Sequence, residues 1–116
     1  MRSVALLLTL WIATGCTKKQ EAAGPVDPAT AAANLVEDGR ARFNQHCTAC
    51  HSPNPKLDGP VGPAVFGASL ELLEARIVKA EYPAGYTPKR TTRQMVALPF
   101  LKDDIPALHA YINSVQ

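Results

Sequence analysis

Apolar residues recur at helical spacing in three stretches of the chain, and nowhere do they alternate with period two over a useful length. Leu35, Gly39 and Phe43 fall at i, i+4 and i+8 and predict a first helix over 34–46. Asn34 and Glu37 sit as an N-cap and N3 pair, with Ala31 to Ala33 able to join the start. Leu70, Leu73, Ile77 and Ala80 predict a second helix from Ser69 as N-cap to Glu81, which Tyr82-Pro83-Ala84-Gly85-Tyr86-Thr87-Pro88 ends. Ile105, Leu108, Ile112 and Val115, with Tyr111 beside them, predict a third. Asp103 or Asp104 caps it, and Pro106 is tolerated in its first turn. Pro53, Pro55, Pro60 and Pro63 with Gly59 and Gly62 make Ser52 to Phe66 a loop, and Lys89 to Leu101 reads as extended and partly irregular. The expected fold is all-α, about three main helices plus loops. Gly39 costs its helix about 1 kcal/mol relative to alanine, which calls for a close approach by another helix.

The first residues follow a different rule. Arg2 precedes the apolar run Val4 to Ala13, which is too short to span a membrane comfortably, and Ala13-Thr14-Gly15-Cys16 follows. This order is similar to a bacterial lipobox, with cleavage before Cys16 and acylation of its thiol; Ala13 stands where a bulkier aliphatic residue is usual. An ordinary secretory peptide leaving Cys16 free is the alternative. The expected division is a lipoprotein-type signal peptide over 1–15, a lipidated cysteine and flexible tether over 16–33, and a folded domain over 34–116. The tether reading rests on Thr17 to Ala33 lacking any bulky periodic apolar residue. Such a chain is exported to the periplasmic side of a bacterial membrane or the cell surface, held there by lipid without spanning.

Length allows one compact domain of 116 residues or fewer. Aromatic content of 6% is low for a well-filled core in so short a chain. A net charge of +2 suggests neither nucleic-acid binding nor an acidic tail.

Composition gains meaning from Cys47-Thr48-Ala49-Cys50-His51, a C-x-x-C-H run. Two thiols at this spacing can each add across a vinyl group of one haem, and the following histidine then lies under the iron. A zinc half-site lacks a second ligand pair at finger spacing, and a thioredoxin-like dithiol lacks a βαβ setting. The cysteine count closes as well: haem uses Cys47 and Cys50, lipid uses Cys16, and no odd thiol remains. A covalently held haem would also add a large apolar body to the thin core.

From Leu35 to Val115 the chain resembles a class I (mitochondrial-type) monohaem cytochrome c. Four matches carry the resemblance in order: Gly39-x-x-x-Phe43-x-x-x-Cys47-x-x-Cys50-His51; Gly62-Pro63-Ala64-Val65-Phe66-Gly67; Met95-Val96-Ala97-Leu98-Pro99; and Leu101 to Ile112. It implies the cytochrome c fold, one covalent haem c, and a single-electron carrier rather than an enzyme. It further implies that the Pro63 carbonyl accepts a hydrogen bond from His51, and that Tyr111 packs near Gly39. The chain departs from the pattern in having Val96, not proline, directly after Met95, and in a shorter link to the last helix.

His51 is the expected proximal ligand. Met95, 44 residues later, is the sole thioether outside Met1. A lone methionine is more often core filling, and the resemblance is what makes Met95 the expected sixth ligand of the iron. His46 reads as a solvent-facing helix residue and His109 as exposed. Lys89, Arg90 and Arg93 form a basic run, read either as a solvated face or as a docking surface for an acidic redox partner. Two further readings stay open: a ligand-binding or sensing haem protein with a displaceable sixth position, and a small haem subunit of a larger oxidoreductase.

Overall fold

A computed structural model describes residues 24–116. The leader read at 1–15, Cys16 and the tether to residue 23 lie outside the described residues. Three α-helices and a 3₁₀ turn make up the regular structure of the rest: α1 (Pro28–His46), α2 (Leu70–Lys79), the 3₁₀ turn (Pro99–Asp104) and α3 (Ile105–Ser114). This is the expected all-α architecture.

α1 begins about two turns before the expected cap. Asp27, not Asn34, is its N-cap. The Asp27 carboxylate accepts from the N–H groups of Ala29 and Thr30 at 3.0 Å each, and Pro28 occupies a position that needs no donor. The alanine-rich run then continues the helix on propensity alone, since residues 28–35 are exposed. Glu37 pairs with Arg40 in place of a capping box. Leu35 is exposed, and the apolar face is carried by Gly39 and Phe43, with Val36 packed against its edge.

Gly39 is where α3 crosses. A Cβ there would collide with the Ala107 carbonyl and stand 2.9 Å from Tyr111 Cβ. The expected close approach is present, and the Tyr111 ring packs against Phe43 at 5.4 Å. Arg42 reaches Asp104 at 3.1 Å on the rim of the same contact. Asp104 therefore makes no side-chain cap, although it stands at the N-cap of α3.

Ser69 caps α2 as expected, its hydroxyl accepting from Leu72 N–H at 3.1 Å. The helix stops at Lys79, short of Glu81, because Ala80 turns left-handed (φ 56°, ψ 26°). The N–H of Glu81 then bonds the Ala75 carbonyl at 3.0 Å. Leu73 and Ile77 are buried, whereas Leu70 is exposed. The 3₁₀ turn was not expected from the pattern; it delivers Leu101 into the core. Phe43, Leu101 and Leu108, each at most 2% exposed, form its centre, and burying each contributes about 1.5–3 kcal/mol.

Candidate cofactor site

α1 runs directly into the Cys47–His51 pentapeptide. Cys47 closes the helix with its N–H on the Phe43 carbonyl at 2.8 Å, and the His51 N–H bonds the Cys47 carbonyl at 2.9 Å. Thr48 holds the turn through its hydroxyl on the Asn44 carbonyl at 2.9 Å. The attachment residues are thus fixed by a turn that continues the helix axis.

The loop after His51 folds back over it. The Cys50 carbonyl accepts from Gly62 N–H at 2.8 Å and from Val61 N–H at 3.2 Å. Pro55, fully buried, accepts from Val65 and Phe66 at 2.8 and 2.9 Å. Tyr111 ties the start of the loop to α3 through its hydroxyl on the Pro53 carbonyl at 3.1 Å. Asn113 ties the end, accepting from Gly67 N–H at 3.0 Å and donating to the Ala68 carbonyl at 3.2 Å. A Cβ on Gly62 would stand 2.5–2.9 Å from three atoms of the His51 imidazole, so the ring lies flat against the glycine backbone.

His51 Nδ1 lies 2.9 Å from the Pro63 carbonyl oxygen. A carbonyl only accepts, so Nδ1 carries the proton and Nε2 is the nitrogen left with a lone pair. This is the hydrogen bond that the resemblance implied.

A cavity of about 510 Å³ is lined by Cys47, Cys50, His51 and Met95 together with the buried apolar side chains Phe43, Leu73, Ile77, Leu108 and Ile112. Met95 is half-buried and packs against the core cluster. Its segment is held to α2 by Leu98 N–H on the Ile77 carbonyl at 2.6 Å. Arg76, Tyr82 and Tyr86 also line the cavity. Arg76 stacks over Tyr82 at 4.2 Å, and Tyr82 lies parallel to Tyr86 at 5.4 Å. None of these three was singled out from the sequence, where an arginine on a helix and two tyrosines in a turn carry no shared period.

Of the basic run, Lys89 donates to the Ala64 carbonyl at 2.8 Å and Arg90 pairs with Asp58 at 3.2 Å, so both fold onto the loop that covers His51. Arg93 is exposed. His46 is half-buried rather than solvent-facing, because Phe100 packs edge-on against its ring at 5.3 Å. His109 is half-buried too.

The chemistry of this donor set fits haem. Burial pushes the Cys47 thiol up to about 11, helped by the neighbouring Cys50. A redox dithiol depends on ready thiolate formation, which the burial of Cys47 opposes. A thioether has no proton to lose and is at home there. The cavity is predominantly apolar, and its lining includes the imidazoles of His51 and His46 and the thioether side chain of Met95. Among the described residues no group of three or more His, Cys, Asp or Glu side chains is placed to hold a bare metal ion.

The cytochrome c family model matches residues 36–116, which takes in every element of this site, and the chain belongs to that family. Its fold is that of a class I cytochrome c, its cofactor is covalent haem c, with Cys47 and Cys50 fitting the attachment pattern, and its chemistry is haem-based electron transfer with redox partner proteins. No curated protein and no solved structure gives a significant match.

Proposed function

We propose that this chain is a one-electron carrier whose haem iron is held between His51 and Met95. The observation that carries the reading is the Nδ1–H bond from His51 to Pro63 at 2.9 Å, in a cavity that Met95 also lines. When bound, haem c supplies an iron that takes up and releases one electron without bond-making in the partner. The residues around it do the rest. Pro63 fixes the tautomer and raises the basicity of His51, and Met95 sulfur favours the ferrous state and a comparatively high potential. The apolar lining keeps water from the iron. Arg93, with Lys89 and Arg90 near the cavity, supports docking of an acidic partner, and the order Arg2, Val4–Ala13, Cys16 supports export and a lipid anchor at Cys16.

The test is the ferric absorption spectrum. The wild-type domain is expected to show the weak far-red sulfur-to-iron charge-transfer band, and Met95→Ala to lose it while keeping covalent haem. A second reading draws on one observation: among the described residues, none makes a backbone–backbone hydrogen bond with residues 87–97. A strap held by the Lys89 and Arg90 side chains and by Leu98, with no backbone ladder between them, supports a displaceable Met95 and a ligand-binding role. Ready binding of carbon monoxide by the ferrous wild-type protein, with no far-red band, would establish that reading in place of the carrier.

A further inference from the structure

The hydrogen bond under His51 does not end at Pro63. The Pro63 carbonyl and the Ala64 N–H belong to one peptide unit. Its carbonyl accepts from His51 Nδ1 at 2.9 Å, and its N–H donates to Asp58 Oδ1 at 2.7 Å. The other carboxylate oxygen, Oδ2, stands 3.2 Å from Arg90 Nη2, and Lys89 donates to the Ala64 carbonyl at 2.8 Å. We infer that Asp58 is a positioning residue for the iron: its carboxylate polarises the Pro63–Ala64 peptide and so makes His51 a stronger donor.

A negative charge at the N–H end of an amide pushes electron density toward its carbonyl oxygen, which then accepts more strongly. Hydrogen bonds in such a chain strengthen one another by roughly 10–30% each. The first link here is charge-assisted and short, the kind that polarises most. The Asp58 carboxyl is held below the usual carboxylate range, first by the Ala64 N–H and then by the charge on Arg90. Arg90 acts on the same chain from the other end by drawing charge toward Oδ2. One residue of the strap that carries Met95 thereby adjusts the ligand on the opposite side of the sequence.

The proposal rests on His51 ligating the iron, and it competes with a simpler effect. Any negative charge near the site lowers the potential through space. The Asp58 side chain is 64% exposed, so that effect is screened by salt, and at about 1 M the screening length falls to about 3 Å. A polarised peptide is not screened.

The experiment compares the holoprotein with Asp58→Asn and Arg90→Gln, in low salt and at about 1 M salt. It reads the midpoint potential and the His51 ring Nδ1 proton of the ferrous form by NMR. Asn keeps the acceptor oxygen and removes the charge. Asp58→Asn is expected to shift the equilibrium roughly twofold toward ferrous iron at both salt concentrations, with the ring proton moving upfield. Arg90→Gln is expected to move that proton downfield. A potential shift that vanishes at high salt, or a ring proton unmoved in both variants, overturns the relay. Absence of any haem-shifted His51 resonance in the wild-type protein is a different result: it removes His51 as ligand, and the proposal with it.

Discussion

Single residues carry strain and closeness that no neighbour could replace. Ala80 is the clearest. It holds φ 56° at the end of α2, where its carbonyl accepts from Arg76 at 2.6 Å. The left-handed region costs an L side chain about 1–2 kcal/mol, and glycine recovers this less its own entropy of about 0.5–1 kcal/mol. Ala80→Gly is therefore expected to stabilise the domain by about 0.5–1 kcal/mol, read as a higher denaturant midpoint with an unchanged slope. Gly39 and Gly62 work the opposite way. Each is small because a helix backbone or an imidazole ring occupies the space a Cβ would take.

At the level of elements, α1 joins two different kinds of helix. From Val36 to His46 it is held by packing on α3; from Pro28 to Leu35 it is held by its cap and its alanines. The Asp27 carboxyl is lowered from its ordinary value, chiefly by the Thr30 hydroxyl and then by the Thr30 N–H. A depressed carboxylate contributes stability above its unfolded pKa and loses it as pH falls through the folded one. Hydrogen-exchange protection of Ala31 to Ala33 is expected to fall as pH drops through the acid range in wild type. In Asp27→Ala it is expected to be low throughout, with the melting temperature of the domain at neutral pH equal to that of wild type. A fall in global stability on Asp27→Ala would show that these turns pack on something.

Elements also differ in how far the sequence reveals them. Leu73, Ile77, Leu108 and Ile112 announce their helices because burial imposes a period. The start of α1 does not, since nothing is buried there and propensity alone decides. Leu35 and Leu70 fit the period yet are exposed, because each lies one turn beyond the end of the packed face. Cys47, Cys50 and His51 are legible because their chemistry is local. Asp58, Asn113 and the Arg76–Tyr82–Tyr86 stack are not: each is a contact across loops, where spacing carries no signal.

For the molecule as a whole, the cofactor cavity and the hydrophobic core share residues. Phe43, Leu73, Ile77, Leu108 and Ile112 belong to both. Without haem the apolar walls of this cavity of about 510 Å³ would face water, and little core remains apart from them to hold a domain of marginal stability. The chain lacking haem, made as Cys47→Ala/Cys50→Ala, is expected to show no cooperative thermal transition and no fixed near-ultraviolet dichroism. A sharp two-state melt in that variant would mean that α1 and α3 fold on their own.

The buried Cys47 sets an order of events. Folded, its thiol has moved from an ordinary 9.0 to about 11, which lowers its reactive thiolate about a hundredfold. Compaction also closes the apolar walls on which the porphyrin must lie. Attachment at Cys47 is therefore expected to be fastest in the open chain, which is also the form the haem-free chain takes. Equal thiol reactivity of haem-free protein in buffer and in denaturant is the result that fits. A strongly protected thiol in buffer would show that the chain closes before haem arrives.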